Sequence, residues 1–331
     1  MTPETKAKAG RIENALAALS EQETACFLCP RNCGVDRRTK RGVCRAGTTA
    51  EVSHALLHFG EEPVLSGDGA TAEGESGGRS GSGTIFFAGC NLACRFCQNY
   101  QISWFDEGRP AGDDDLADMM LDLRDRGALN INFVSPTHIV LPILRGLRKA
   151  VLKGLDIPLV YNSNGYDSPA TLKELEGVID IYLPDAKYVS PDLSSRYSGA
   201  ADYFERAAAA LIEMHRQQPR LEIDENGAAL KGLIIRHLVL PGCGEDSLKV
   251  LQWIRDNLSP SIGLSIMSQY RPCHRTPTEL NRTVTAEEYG RVVDFALSLD
   301  FENLFIQPEP FGPDEHLVPD FRLPEPFRWK G

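Results

Sequence analysis

The sequence lacks several features that would assign it to common protein classes. It has no stretch of about twenty uncharged apolar residues, so we expect no transmembrane helix. The segment before Cys26 has no apolar core after its lysines, so we expect no secretion signal and a cytoplasmic location. Basic residues are not in excess: 35 Lys and Arg against 46 Asp and Glu give a net charge of −11. This balance argues against nucleic-acid or membrane partners.

Composition divides the 331 residues into four segments. Residues 1–60 combine a short helical pattern with a Cys-rich stretch, and residues 61–83 are a Gly/Ser-rich stretch that predicts a flexible loop. Residues 84–310 alternate regularly between strand and helix patterns, and residues 311–331 form a C-terminal tail. We therefore predict one α/β core with a small N-terminal segment in front of it.

Short apolar runs alternate with helical patterns throughout the predicted core. The predicted strands are 84–88, 131–134, 158–162, 180–183, 232–240, 262–267 and 303–307. Helical periodicity lies between them, for example over 113–126 and 201–217. Such alternation predicts βαβ units and a parallel sheet, either a full or partial (β/α) barrel or, as the alternative, a doubly wound open sheet.

Polar or Gly/Pro-rich clusters follow six successive predicted strands. The clusters are GCNLACRFCQN at 89–99, SPTH at 135–138, NSNG at 162–165, PDAK at 184–187, LPG at 240–242 and SQYRPCH at 268–274. In a parallel barrel the carboxyl ends of the strands form the face on which active sites are built. Six such clusters in succession favour an enzyme with its site across the barrel mouth.

Cys90, Cys94 and Cys97 form a C-x3-C-x2-C motif directly after the first predicted strand. Three thiolates can hold three irons of a cubane cluster that normally takes four Cys ligands. The missing ligand leaves one iron open, as catalytic metal sites leave one position open for substrate. A structural zinc site or a ferredoxin-like cluster, with a fourth ligand from elsewhere, is the alternative.

With Phe96 before the last Cys and Asn99 two residues after it, this motif resembles that of the radical S-adenosylmethionine superfamily. The resemblance implies a partial (β/α) barrel of that superfamily's type and a [4Fe-4S] cluster on the Cys triplet. It also implies that the open iron chelates the amino and carboxylate groups of S-adenosylmethionine. Reduction then cleaves this molecule to methionine and a 5′-deoxyadenosyl radical.

Three further motifs resemble the pyruvate formate-lyase-activating-like branch, which is related to the activating enzymes of glycyl radical enzymes. They are NSNGY at 162–166, DIYLPDAKY at 180–188 and IRHLVLPG at 235–242. The resemblance implies cofactor-binding roles for Asp185 and Lys187, which would meet the methionyl part, and for Arg236 and Asn164.

The chain departs from the superfamily pattern after the second predicted strand. The usual GGE is replaced by Ser-Pro-Thr-His, so Ser135 and Thr137 are the candidates for binding the cofactor's amino group, and no carboxylate stands there. Asn162 occupies the place where activating enzymes often have an Asp for a monovalent cation, so we do not predict that cation.

A second Cys cluster lies in the N-terminal segment. Cys26, Cys29, Cys33 and Cys44 fall within nineteen residues, and glycines and a proline between them supply turns. The spacing predicts a closed four-thiolate site for zinc or for an auxiliary iron–sulfur cluster. The basic run at 37–41 is interpreted as a solvated surface, or alternatively as a docking site for an acidic electron donor such as flavodoxin or ferredoxin.

Cys243 and Cys273 follow the fifth and sixth predicted strands, so both thiols are candidates for the barrel mouth. We take Cys273 as the candidate catalytic thiol, against the simpler interpretation that both are partly buried packing residues.

The sequence thus predicts an enzyme that cleaves S-adenosylmethionine reductively and abstracts hydrogen from an unidentified substrate. That substrate is a glycine of a partner glycyl radical enzyme, a small molecule or another peptide. The alternatives are a zinc or iron–sulfur interaction or electron-transfer protein, and a radical methyl transferase that uses Cys273 or Cys243.

Overall fold

The computed structural model describes residues 2–67, 81–308 and 317–327. Most of the predicted Gly/Ser-rich loop, residues 68–80, lies outside these ranges, as do residues 311–316 and 328–331 of the predicted tail. No helix within the described ranges is long and apolar enough to cross a bilayer.

All seven predicted strands are present, together with three strands that the sequence did not suggest. The strands are β1 Ala50–His58, β2 Ser82–Phe87, β3 Arg109–Ala111, β4 Ile131–Val134, β5 Leu159–Ser163, β6 Ile181–Pro184, β7 Glu222–Ile223, β8 Ala229–Leu238, β9 Gly263–Met267 and β10 Asn303–Ile306. The helices are α1 Pro3–Leu19, α2 Pro63–Ser66, α3 Tyr100–Phe105, α4 Asp113–Asp125, α5 Val140–Leu152, α6 Pro169–Glu174, α7 Pro191–Ser198, α8 Tyr203–Gln217, α9 Gly244–Asn257 and α10 Ala286–Leu297.

The strands form one open, mostly parallel sheet in the order β10-β9-β8-β6-β5-β4-β2-β1-β3, with β7 paired to β8. Neighbours from β2 through β10 pair in parallel, whereas β1 pairs antiparallel with both β2 and β3. Apart from β7, the parallel strands follow one another in chain order without the reversal of a doubly wound sheet. The predicted partial (β/α) barrel is therefore confirmed, and the doubly wound alternative is wrong.

The helices cover the outer side of the sheet through apolar stripes. In α5, Leu144, Leu147 and Val151 are buried at helical spacing, and they share a core cluster with Ile12 and Leu19 of α1. Burying one such side chain stabilises the fold by about 1.5–3 kcal/mol. This packing fixes the strands, so that their carboxyl ends hold the polar clusters at one edge.

The N-terminal segment is part of the sheet and not a separate body. Strand β1 lies beside β2, with Leu57 opposite Gly83 and His58 opposite Ser82. Its central residues are all half-buried, so the two-residue alternation that would have predicted a strand is weak. The next residues also differ from the prediction: Pro63–Ser66 is a short helix where we expected a flexible loop.

Candidate active site

A cavity of about 660 Å³ lies at the carboxyl ends of the parallel strands. Its wall includes all three cysteines of the triplet, Cys90, Cys94 and Cys97, together with residues that follow β4, β5 and β6. This is the volume and setting of a small-molecule site. Five of the six strand-end clusters that the sequence singled out therefore meet at one place, whereas no residue of 240–242 is on this wall.

The loop that carries the triplet is held close to the N-terminal segment. Gly89 has a φ of +83°, and a Cβ there would lie 2.5 Å from the carbonyl oxygen of Cys44. Only glycine fits this conformation and this approach without strain. The turn directs Cys90 to the cavity, where its sulfur accepts a hydrogen bond from Asn164 Nδ2 at 3.4 Å.

The triplet's donor set suits an iron–sulfur cluster. Burial raises the pKa of the Cys90 thiol to about 11, and it raises the pKa values of Cys94 and Cys97 as well. Such thiols ionise when a metal supplies the compensating charge. No group of three or more His, Cys, Asp or Glu side chains stands in a ready metal-binding arrangement within the described ranges. The fit is one of donor type and position on the cavity wall.

A chain of alternating charges forms the wall beside the triplet. Lys187 Nζ donates to Asp185 Oδ2 at 2.6 Å, and Arg236 Nε donates to Asp185 Oδ1 at 3.2 Å. Burial would raise the pKa of Asp185, but the two neighbouring cations outweigh it and lower the pKa. All three side chains line the cavity. The resemblance to activating enzymes predicted cofactor-binding roles for these residues.

The backbone after β5 is fixed by a close approach to the backbone after β6. Gly165 has a φ of +79°, and a Cβ there would lie only 2.1 Å from the carbonyl oxygen of Asp185. The Tyr203 hydroxyl lies 2.8 Å from the Asn164 carbonyl and 2.9 Å from that of Asp185. Asn164 and Asp185 are thereby set side by side on the wall.

Of the two residues proposed for the missing GGE, the structure places only one at the cavity. Ser135 lines the wall in a left-handed conformation, with a φ of 59°. Thr137 is buried away from the wall, and its hydroxyl donates to Asp167 Oδ1 at 2.6 Å. The prediction of Thr137 as a cofactor ligand is corrected for this reason.

Asp167 is a buried acceptor for three hydroxyls behind the wall. Besides Thr137, it accepts from Ser163 at 2.6 Å and from Tyr161 at 3.0 Å. We expect Asp167→Ala to lower the free energy of unfolding by about 3 kcal/mol, because it leaves buried hydroxyls without their acceptor. Urea unfolding measures this loss, and Tyr161→Phe, which removes one donor only, is the control that should lose less.

The same variant has an expected pH dependence. Burial raises the pKa of Asp167, so charging this group costs stability as the pH rises through its folded-state pKa. The Ala variant lacks that cost. The difference in unfolding free energy between wild type and variant should therefore be larger near pH 5 than near pH 7, and an opposite trend would contradict the assignment.

Two carboxylates that the sequence analysis missed also line the cavity. Glu61 and Glu62 lie just before α2; Glu62 is buried, and the Glu61 side chain is only 8% exposed. Glu61 accepts from Asn132 Nδ2 at 3.1 Å and from Arg236 Nη1 at 3.3 Å. No carboxylate follows β4, but Glu61 and Glu62 bring carboxylates to the same cavity from another segment of the chain. The one sequence signal for these carboxylates was their position directly before Pro63, at the start of a short helix. We overlooked it because residues 61–83 were predicted to be a flexible loop.

The four cysteines of the N-terminal cluster line a second, much smaller cavity. Cys26, Cys29, Cys33 and Cys44 are all on its wall. Burial raises the pKa of the Cys29 thiol to about 12, the environment of a structural thiol. Next to this quartet, Arg31 Nε donates to the carbonyl of Asn91 at 2.8 Å. The quartet's segment thus supports the loop that carries the triplet.

Only the first residue of the basic run at 37–41 is buried. Arg37 donates to the carbonyl of His138 at 2.6 Å, whereas Arg38 is exposed and pairs with Asp36 at 2.7 Å. The interpretation of the run as a solvated surface therefore holds for the exposed residues 38–41 but not for Arg37.

Neither isolated cysteine is among the residues of the main cavity's wall. The Cys273 sulfur lies 3.3 Å from the carbonyl oxygen of Cys97, behind the loop that carries the triplet. Cys243 precedes α9 and packs against a buried aromatic cluster. The placement of both thiols at the cavity is corrected, and with it the basis for Cys273 as a catalytic residue.

The C-terminal residues 317–327 form part of the cavity wall beside β1, β2 and the loop that follows β2. Gln98 Nε2 donates to the carbonyl of Leu317 at 2.8 Å, and Gln101 Nε2 donates to Asp320 Oδ1 at 2.8 Å. Leu317, Pro319 and Phe327 line the cavity. No motif or periodicity in the sequence indicated that this segment belongs to the site.

Comparison with known proteins also relates this chain to the radical S-adenosylmethionine superfamily. The sequence profile described as the Radical SAM superfamily matches residues 84–225. An uncharacterized protein of Methanocaldococcus jannaschii is 33% identical over 297 residues, which are 85% of this chain and 76% of that protein.

Solved structures resemble the chain more distantly. SuiB of Streptococcus suis bound to S-adenosylmethionine is 15% identical, with 66% of this chain and 48% of that chain covered and a TM-score of 0.47. For anSMEcpe with bound AdoMet and the Kp18Cys peptide the identity is 14%, the coverage 66% and 60%, and the TM-score 0.47. The chain spans about half to three fifths of the length of these two proteins. The profile match shows that residues 84–225 form a radical S-adenosylmethionine superfamily domain, and the 33% identity shows that the chain is a relative of the archaeal protein.

Proposed function

We propose that the protein cleaves S-adenosylmethionine reductively and uses the 5′-deoxyadenosyl radical to abstract hydrogen from a bound substrate. One observation carries this proposal: the three thiols of the triplet and the charges of Asp185, Lys187 and Arg236 line the same cavity. When bound, a [4Fe-4S] cluster supplies the electron for this cleavage. It would be held by Cys90, Cys94 and Cys97.

The protein's own residues would bind and orient the cofactor. Lys187 and Arg236 provide cationic donors for a carboxylate, and Asp185 holds both in place. The Asn164 side chain spans Asn91 and Cys90, so it fixes the loop on the side that faces the cofactor. Such prior orientation reduces the entropy lost on binding.

The decisive experiment is anaerobic purification, assay of iron and sulfide, and incubation with S-adenosylmethionine and dithionite. We expect iron and sulfide on the triplet and formation of 5′-deoxyadenosine. A protein that contains only zinc and forms no 5′-deoxyadenosine would instead be an interaction or electron-transfer protein.

Lys187→Ala should weaken the binding of S-adenosylmethionine about ten- to hundredfold, because it removes one charge-assisted contact. Isothermal titration on protein with its normal iron content measures this. Lys153 is the matched control, since its ion pair with Asp118 is exposed on the surface. Equal affinity of Lys187→Ala and Lys153→Ala would remove Lys187 from the cofactor site.

The substrate and the electron donor are part of the same proposal. The branch resemblance supports a glycine in a glycyl radical enzyme as the substrate, with another peptide or a small molecule as the alternatives. Flavodoxin or ferredoxin in the cytoplasm would deliver the electron. Transfer of deuterium from a labelled candidate partner into 5′-deoxyadenosine would identify the substrate, and its absence with a given partner would exclude that partner.

We further propose that the quartet Cys26, Cys29, Cys33 and Cys44 binds zinc or a second iron–sulfur cluster. Its support is the shared small cavity and the burial of Cys29 and Cys44. Metal analysis distinguishes the two: one zinc per chain beside four irons indicates a structural site, and about eight irons indicate two clusters.

A further inference from the structure

Glu62 is a buried carboxylate that lacks a partner at one of its oxygens. The residue is 8% exposed and belongs to the wall of the main cavity. Its Oε2 atom accepts no hydrogen bond from any group in the described part of the chain. Glu61 beside it differs, because Asn132 and Arg236 donate to its two oxygens. A buried carboxylate oxygen without a donor is costly, so it calls for a ligand.

When the charged side chains on the cavity wall are paired, Glu62 is the carboxylate for which the described residues provide no ion pair. The described wall carries three acidic residues, Glu61, Glu62 and Asp185, the two cations Lys187 and Arg236, and His58, whose Nδ1 lies 3.8 Å from Glu61 Oε1. Lys187 is bound to Asp185, and Arg236 bridges Asp185 and Glu61. Apart from His58, the ionised side chains of the described wall therefore carry an excess of one negative charge. A cation in the cavity would neutralise it.

Aromatic rings accompany these carboxylates on the wall. Phe86, Phe305 and Phe327 all line the cavity. Ring faces attract ammonium and guanidinium groups when water is excluded. A hard metal ion would instead need several more oxygen ligands, and no such group is arranged within the described residues. Carboxylate and rings together match an organic cation.

Glu61 contacts a residue that lies deeper in the barrel than the strand ends that carry the triplet. Glu61 bonds to Asn132, which is two residues nearer the start of β4 than the cavity-lining Val134. Two residues of a strand span about 6.6 Å. The superfamily resemblance puts the amino group of S-adenosylmethionine at the iron, on the triplet's side. We assign the cation at Glu62 to a second molecule, and titration of Glu62→Gln with S-adenosylmethionine separates this assignment from binding of the cofactor's own amino group.

We propose that the end of the cavity at Glu62 binds the protonated amine or guanidinium group of the substrate. The proposal rests on the proposed function in one respect only, namely that the molecule bound beside S-adenosylmethionine is the substrate. The binding itself needs neither a reduced cluster nor turnover. It can therefore be measured separately from the reaction.

The probe is n-pentylammonium, compared with n-pentanol and pentanoate, which have nearly the same shape. Each is titrated into the full-length purified protein by NMR or calorimetry, without reductant. We expect the ammonium to bind best and Glu62→Gln to weaken its binding at least about tenfold. Glu245→Gln, at an exposed acid paired with Arg291, is the matched control and should bind as wild type does.

Two further readouts keep the test decisive. Without probe, Glu62→Gln should be at least as stable as wild type, because an unpaired buried charge has been removed. Equal binding of pentanol and pentylammonium, or unchanged binding by Glu62→Gln, would overturn the proposal. A Glu62→Gln protein that loses affinity for S-adenosylmethionine by the same factor would overturn it too, since the site would then hold the cofactor's own amino group.

Failure of the reaction gives a different pattern. If the wild-type protein forms no 5′-deoxyadenosine but still prefers pentylammonium through Glu62, the proposed radical chemistry is wrong and the cation site stands.

Discussion

A Cys94→Ala protein is expected to form no measurable 5′-deoxyadenosine from S-adenosylmethionine and dithionite. The substitution removes one of the three thiols on the cavity wall, and a cubane cluster with two protein ligands is not held. We expect a fall of at least about a thousandfold in cleavage rate, corresponding to roughly 4 kcal/mol or more in the barrier. Iron content and 5′-deoxyadenosine are measured on the same anaerobic sample.

Cys243→Ser is the matched control for this loss. Its thiol is also partly buried and has a pKa raised by burial to about 11, but it is not on the cavity wall. This variant should keep both its iron and its cleavage activity. Normal cleavage by Cys94→Ala, or an equal loss in both variants, would refute the assignment of the triplet to the cluster.

Gly165→Ala is expected to destabilise the protein by about 3 kcal/mol or more, because the added methyl group overlaps a backbone carbonyl. The Cβ would lie 2.1 Å from the oxygen of Asp185, so the strands β5 and β6 would have to separate at the cavity. Thermal or urea unfolding measures the loss. Any protein that still folds should also bind S-adenosylmethionine more weakly, since Asn164 and Asp185 would no longer lie side by side.

Gly227→Ala isolates the steric part of this effect. Gly227 has a φ of +84°, close to that of Gly165, but nothing lies within 4 Å of its Cβ position. Both variants share the cost of a positive φ, about 1 kcal/mol. Similar losses in the two would mean that the contact with Asp185 relaxes easily and does not fix the wall.

Local pattern was enough to predict the seven strands of the parallel sheet and the position of Asp185 and Lys187 on the cavity wall. Buried strands such as INFV at 131–134 are continuous apolar runs, and the chain order of a barrel makes their carboxyl ends converge. The Cys triplet was recognisable because its spacing is set by one short loop.

Features that depend on distant contacts were not predictable in the same way. Glu61 reaches the cavity because β1 pairs antiparallel with β2 and brings the chain to the edge of the sheet at which β2 begins. The Thr137 hydroxyl donates to Asp167, thirty residues later in the chain, and local pattern could not reveal this contact. Cys273, which we predicted at the cavity, is not on its wall, whereas Leu317 of the predicted tail is. The path of a loop, which local pattern does not reveal, decides which residue faces the cavity.

The junction of Gly165, Asp185 and Tyr203 offers a criterion for recognising relatives with the same wall. One hydroxyl lies between the carbonyls after β5 and β6, and the glycine lets these two segments approach. A homologous chain that keeps the Cys triplet but has a side chain at the glycine must hold its cofactor on a differently shaped wall. Sorting related sequences by this glycine and the tyrosine hydroxyl, and not by the Cys motif alone, would separate proteins with this cavity from the rest of the superfamily.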